Sequence, residues 1–395
     1  MSTVAASSFV RFVYPFVFEP EAFDAHTGAI YAACWPGRER PLQVWQEAAF
    51  PEEDLLSHVA RYLNPPAGTP PTARLWEMHG DALQSPRGLG AGGGVEWTLR
   101  WGGQEVPFRL EDVELALFRV GVGFLTVQAR PLSDRVDDWL DFLYAFRFVR
   151  GQRGVDIRLR RRVTADTYEP YFPAVAGGSE THPEGAGVLG EVLDALLQSA
   201  AVHGDAGRWW RETFVPGQLL PYAVVYVDGV RADEAALLLY RIRHFFPSRR
   251  EICPAPEDLR LDHDAYLTYA DRQYFLFSLE GAAFVAFDAP ATDFFRRELP
   301  DHLRVRYFLL YLLALHRRFT LIQLSEAVSD HWLGRTASER ERAFERIEDR
   351  LLTFTARGYF TSITTASTGG GRRSSSWMNS TGRSATRFMR CTTYC

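Results

Sequence analysis

The sequence predicts an α+β fold: mixed and antiparallel sheets with packed helices, ending in a long helical arm. Three observations predict it. Short β-branched and aromatic runs recur in pairs joined by glycine-containing turns, the pattern of hairpins. Helical periods fall between groups of strands and do not follow every strand, which disfavours a doubly wound parallel sheet. Tyr307–Leu315 is the most apolar run of the chain, bracketed by Arg304, Arg306, Arg317 and Arg318. It is about half of the ~20 residues a membrane span needs, so it reads as a buried core helix.

The totals bound the class. With 395 residues, 46% hydrophobic and 14% aromatic, the chain can bury a large core, and disorder throughout is excluded. A formal charge of −5 argues against a dedicated nucleic-acid binder. All 44 basic residues are arginine, the mark of a GC-rich genome more than of arginine chemistry at every site. Cys34, Cys253, Cys391 and Cys395 form no C-x-x-C pair. A disulfide framework or zinc site is therefore not expected, and a reducing, cytoplasmic setting fits. The first residues lack the basic and apolar regions of a signal peptide.

Residues 1–150 read as one α+β domain. Phe9–Phe18 is a strand, and Pro15 suggests an edge position or a bulge. Leu42–Trp45 is a second short strand. Phe50–Leu63 is a helix begun by Pro51 and Glu52, Glu53 and Asp54. Asn64–Pro71 and Leu83–Gly94 are loops. Val95–Gln128 is a β-meander of Glu96–Trp101, Val106–Leu110, Val113–Val120 and Phe124–Ala129. Ser133 or Asp134 then caps a helix carrying Val136, Trp139, Leu140, Leu143, Phe146 and Phe148.

Residues 151–303 form a second α+β segment. Arg153, Arg158, Arg160, Arg161 and Arg162 cluster around a strand at Asp156–Val163, read as an exposed basic strand. Val188–Val202 is a helix, Pro221–Val227 a strand and Asp233–Phe246 a helix. Ala265–Ala270, Gln273–Leu279 and Ala282–Phe287 are strands. A helix from about Ala291 gives way after Pro300 to the Arg304–Arg318 core helix. Val113–Arg150 and Gln273–Arg318 share a strand–strand–helix order, a weak sign of duplication.

Residues 304–360 are the helical arm. Leu321, Leu324, Val328 and Trp332 continue the apolar period, and Phe344, Ile347, Leu351 and Phe354 form a narrow packing seam. In residues 361–395 the periodicity stops. That stretch reads either as a disordered tail or as translation out of frame, in which case the native C-terminus is lost.

The runs V-E-L-A-L-F-R-V-G-V-G-F-L-T-V (113–127), W-L-D-F-L-Y-A-F-R-F-V (139–149), R-Y-F-L-L-Y-L-L-A-L-H-R-R-F (306–319) and L-L-T-F-T-A-R-G-Y-F (351–360) resemble uncharacterised bacterial proteins similar to the CorA-type divalent-cation transporters. The resemblance covers about half of the chain. It implies a soluble α/β domain feeding a long helix that leads to two membrane spans and a Gly-Met-Asn pore motif. This sequence holds neither that motif nor a span, so no pore residue carries over. The implied function is the soluble, cytoplasmic, non-catalytic part of a CorA-like transporter, truncated before its spans. Membrane association would then run only through a missing C-terminus, and a homo-oligomer would form through the C-terminal helices.

No catalytic signature is present: there is no H-E-x-x-H and no G-x-S-x-G, and Gly88–Gly94 lacks the Gly-Lys-Ser/Thr ending of a phosphate loop. The repeated tripeptides His79-Gly80-Asp81 and His203-Gly204-Asp205 are turn chemistry. Asp262 and Asp264, flanking His263 near Glu257 and Asp258, are the densest set of hard-cation ligands. In a strand they would share one face and reach one ion. The resemblance names Mg²⁺ as that ion. Two other classes stay open: a soluble enzyme or nucleotide-binding protein of an unrecognised family, and a helix-mediated interaction module.

Overall fold

A computed structural model describes most of residues 2–148 and 208–332, apart mainly from 36–41, 80–95, 102–103, 213–216 and 262–265. Between 149 and 207 it describes only 158–162, 168–169, 187–188, 193–194 and 197–198. The fold is α+β, built on one large mixed sheet. Its principal strands are β1 (Phe9–Val17), β2 (Trp45–Ala48), β3 (Ala73–Met78), β4 (Glu96–Trp101), β5 (Gln104–Phe118), β6 (Val122–Pro131), β7 (Arg158–Arg162), β8 (Leu220–Asp228), β9 (Tyr266–Ala270), β10 (Gln273–Ser278) and β11 (Gly281–Phe287). Helices are α1 (Phe23–Ala32), α2 (Ser57–Leu63), α3 (Val136–Ala145), α4 (Ala232–Arg243) and a C-terminal helix α5 spanning 294–332.

The strands run in the order β7-β4-β5-β6-β1-β8-β11-β10-β9, and β3 pairs with the second part of β5 and carries β2. Among these pairs only β8–β11 is parallel, the chain crossing between them through α4 and the β9–β10 hairpin. The strands of 1–150 and those of 220–287 thus belong to one sheet, joined where β1 pairs antiparallel with β8 from Val13↔Leu220 to Phe9↔Val224. The two halves share a strand succession but not a strand sense: β1 is antiparallel to β6, whereas its counterpart β8 is parallel to β11.

Both faces of the sheet are covered. Val10, Phe12, Tyr14 and Phe16 point to a layer formed by α1, α3 and α4, where the Phe12 ring lies 4.5 Å from that of Phe146. Phe9, Val13, Tyr222, Val224 and Phe284 point to the opposite layer, formed by α5 and α2. This is why β1, β8 and β11 read as near-continuous apolar runs instead of alternating ones.

Several expectations change in detail. Pro15 lies in the central strand, not at an edge. The β8 pairing ends at Val13, and the two-residue strand Arg211–Glu212 pairs only with Val17 and Phe16, so the missing N–H falls between two partners. The predicted strands Val106–Leu110 and Val113–Val120 are one 15-residue strand, β5. Its polar Glu111-Asp112 step is a bulge, not a turn, and lets one edge of β5 serve β4 and then β3. Helix α2 is described from Ser57 and not from Pro51. The Asn64 side chain accepts from the Phe50 N–H and donates to the Phe50 carbonyl, which fixes that residue outside the helix. Ser133 precedes α3 and accepts the Arg135 N–H, while the first helical residue is Val136.

Pro300 does not divide α5. Wide π-turns at Phe294–Glu298 and Leu303–Tyr307 flank it, and the Leu299 N–H reaches back to the Phe294 carbonyl. These wide turns accommodate a ring that would clash with the carbonyl one regular turn back. The Tyr222 hydroxyl donates to the Leu303 carbonyl at 3.1 Å across the layer. Every residue from Tyr307 to His316 is buried. Each fully buried large side chain in this run contributes about 1.5–3 kcal/mol. Burial also holds the His316 pKa down to about 3, so its ring is neutral in this core. Side chains become mostly exposed after Leu324 and are described to Ser329. The Phe344–Phe354 seam and residues 361–395 lie outside the described residues.

The β5–β6 turn is tied to both neighbouring layers. Gly121 has φ +89°, and its carbonyl accepts from the Phe18 N–H and from Gln323 Nε2 on α5. A Cβ there would meet the Phe18 carbonyl oxygen at 2.6 Å. Gly121→Ala is expected to destabilise the fold by roughly 1–3 kcal/mol in urea denaturation, and an unchanged midpoint would show that this turn relaxes freely.

Candidate functional site

Strand β1 carries one charged side chain inside its buried run. Arg11 is 6% exposed, and two-residue alternation places it beside Phe9 and Val13 on the α5 face. A buried guanidinium must be paired and hydrogen-bonded. Arg11 Nε donates to Gln128 Oε1 on β6 at 2.9 Å, and Nη1 donates to Glu114 Oε2 on β5 at 2.9 Å. Its Nη2 lies 3.8 Å from Asp112 Oδ2. The guanidinium carbon stands 4.3 Å from the ring centroid of Phe308 on α5. One cation therefore joins β1, β5, β6 and α5.

The β5 bulge between Leu110 and Asp112 supplies the acidic side. Glu111 Oε2 accepts from Gln128 Nε2 at 2.8 Å, and Glu111 Oε1 lies 2.9 Å from Arg130 Nε. Glu77 on β3 is directly opposite Glu114 in the β3–β5 register. Glu77, Glu111, Asp112 and Glu114 thus share this region with Arg11 and Arg130, an excess of carboxylates over guanidiniums. Asp112 responds most. Burial, and next the negative charge of Glu114, push its pKa up to about 7, against the pull of Arg11 and with a further push from Glu77. The Asp112 side chain keeps 31% exposure, so solvent protons reach it. The arrangement can take up or release a proton near neutral pH beside the cation that meets α5.

The residues singled out in the sequence are placed differently. Asp262 and Asp264 lie outside the described residues, as do His263, Gly80-Asp81, His203-Gly204-Asp205 and Gly88–Gly94. Their described neighbour Glu257 is exposed, and the Asp258 carbonyl accepts from the Tyr266 hydroxyl at 3.0 Å. Among the described residues no group of three or more His, Cys, Asp or Glu has the geometry to hold a metal ion. Arg158–Arg162 is strand β7, paired with β4. Cys34 and Cys253 are exposed free thiols. Among the described residues no helix is long and apolar enough to cross a membrane.

The Arg11 cluster was missed in the sequence, although its signal was there: a single arginine inside F-V-R-F-V, a strand otherwise fully apolar. Its partners lie 103 and 117 positions away, so only the sheet pairing reveals them. Compared with protein-family models, with curated proteins and with solved structures, the chain matches none.

Two expectations follow from the charge balance. Arg11→Met leaves Glu114 and Asp112 without their cation, and should cost about 3–5 kcal/mol at pH 8. The loss should be smaller at pH 5, where Asp112 is protonated and needs no cation; equal losses at both pH values would place the damage in packing alone. For Asp112 the folded pKa lies above the unfolded ~3.9. Its contribution is therefore full below the unfolded value and is lost as pH rises through about 7. The stability of Asp112→Asn relative to wild type should rise between pH 4 and 8 in parallel urea titrations. A constant difference would contradict the raised pKa.

Proposed function

We propose that this chain is the cytoplasmic, non-catalytic platform of a CorA-like divalent-cation transporter relative. The observation that carries the reading is the course of α5. The helix is held on the sheet by the Arg11–Phe308 contact and the Tyr222–Leu303 hydrogen bond, and is buried at every residue from Tyr307 to His316. Beyond Leu324 its described side chains are mostly exposed. A helix seated this way moves with the sheet and can pass a displacement onward as a lever. In the sequence, the Phe344, Ile347, Leu351 and Phe354 stripe follows it, a seam for a homo-oligomer built from C-terminal helices. Asp262 and Asp264 are the residues assigned to Mg²⁺ in this reading.

The alternative, a soluble enzyme, draws support from Asp112, whose pKa near 7 suits acid–base work. The Arg11 guanidinium contacts the Phe308 ring on α5, and this supports the platform reading. The test is to express the gene with the DNA downstream of the Thr361 codon and to fractionate the cells. Recovery in the membrane fraction, with Mg²⁺ or Co²⁺ uptake above a vector control, is the expected result. A product found wholly in the soluble fraction, without uptake, would overturn the platform reading. As a separate check, millimolar Mg²⁺ should raise the Tm of the chain, and Asp262→Ala with Asp264→Ala should abolish that rise; a rise that persists removes the two aspartates from the ion site.

A further inference from the structure

Arg11 is held between two competing neighbours. Its Nε and Nη1 make the 2.9 Å bonds to Gln128 and Glu114, but Nη2 stops 3.8 Å from Asp112 Oδ2, too far for a hydrogen bond. The carbon of the same guanidinium lies 4.3 Å from the centroid of the Phe308 ring. The other Asp112 oxygen, Oδ1, accepts the Val113 N–H at 2.8 Å, which ties the carboxyl to the β5 bulge. An ionised carboxylate facing a buried guanidinium closes to a short, charge-assisted hydrogen bond. A protonated carboxyl lacks that attraction and leaves the gap open.

The surrounding charges come from each neighbouring element. Strand β5 adds Glu111 and Glu114, β3 adds Glu77, and β6 adds Arg130, which pairs with Glu111 at 2.9 Å. On β8, Tyr222 stands opposite Arg11; its hydroxyl donates to Leu303, and burial holds its pKa well above the ordinary value, so it stays neutral. Helix α5 presents the Phe308 ring. Of the two arginines just before it, Arg304 lies over Phe9 at 4.7 Å and pairs with Asp301 at 3.1 Å, and Arg306 is half-buried. Burial, and next Glu114, hold the Asp112 pKa at about 7, so its charge changes at neutral pH. Below that value the carboxyl is neutral; above it, the anion joins Glu114 in attracting Arg11.

We propose that Arg11 is a two-position switch: it rests over the Phe308 ring while Asp112 is protonated, and closes on the Asp112 carboxylate, away from that ring, when the proton leaves. The contact between β1 and α5 then weakens, while the Tyr222–Leu303 hydrogen bond keeps the helix in place. The switch concerns the seat of α5 and holds whether or not the chain serves a transporter. The test follows the Nε–H signal of Arg11 by nitrogen–proton NMR of the full chain, from about pH 5.5 to about pH 8.5. Arg11→Lys identifies the signal by its loss. The signal should move along a single titration with a midpoint at about 7. Asp112→Asn should hold it at the low-pH position throughout. Phe308→Leu keeps an apolar side chain but removes the ring face. It should shift the low-pH signal and leave the high-pH signal close to that of the wild type. A wild-type signal that stays fixed across the range would overturn the proposal. Movement that persists in Asp112→Asn would overturn it too, because another group would then be titrating. A low-pH signal unchanged in Phe308→Leu would do the same, by showing that the guanidinium does not rest on the ring.

Discussion

The structure depends on β1 lying in the middle of the sheet. All nine of its residues are buried, so water cannot satisfy its backbone polar groups. Those groups are met by β6 on one edge and by β8, then Arg211–Glu212, on the other. This pairing brings the first and second halves of the chain into one sheet. It also explains why a proline is tolerated there, at the one step where the second edge changes partner. Side chains alternate between two helical layers, and both are needed: uncovering one face of β1 would expose Phe12, Tyr14 and Phe16, and uncovering the other would expose Phe9, Val13 and the Arg11 cluster.

Arg11 turns this strand into more than a packing element. A guanidinium buried within β1 is stable only because Gln128, Glu114 and the Phe308 ring converge on it. Burial, and next the negative charge of Glu114, bring Asp112 close to its titration point at neutral pH. Removing a proton there adds negative charge next to the group that contacts α5. Further along, the π-turns and the Tyr222 hydrogen bond secure the same helix. A charge change at the β5 bulge and the seating of the C-terminal helix are thus linked through one side chain.

Local elements were legible in the sequence where composition decides them. The aromatic and β-branched run at Phe9 predicted β1, and the spans of β8, β10 and β11 differ from expectation by one or two residues at most. The apolar run at Tyr307 predicted a buried helix. What failed were the places where tertiary pairing overrides a local signal. Glu111-Asp112 has turn polarity, yet becomes a bulge because β6 and β3 hold the strand on both sides. Pro300 has a breaker's identity, yet π-turns absorb it. The Arg11 cluster was not legible as a cluster because its members sit on four strands that only the sheet brings together. Asp262 and Asp264 stood out for the opposite reason: three polar ligands adjacent in sequence are conspicuous whether or not the fold uses them.

Cooperativity is the central claim: α5 belongs to the same core as β1 and β8 and is not an appended arm. Native-state hydrogen exchange followed by mass spectrometry tests it directly. Peptides covering β1, β8 and residues 308–319 should open with the same free energy and the same denaturant dependence. Exchange of 308–319 through a separate, lower-energy opening, while β1 and β8 stay protected, would contradict the account.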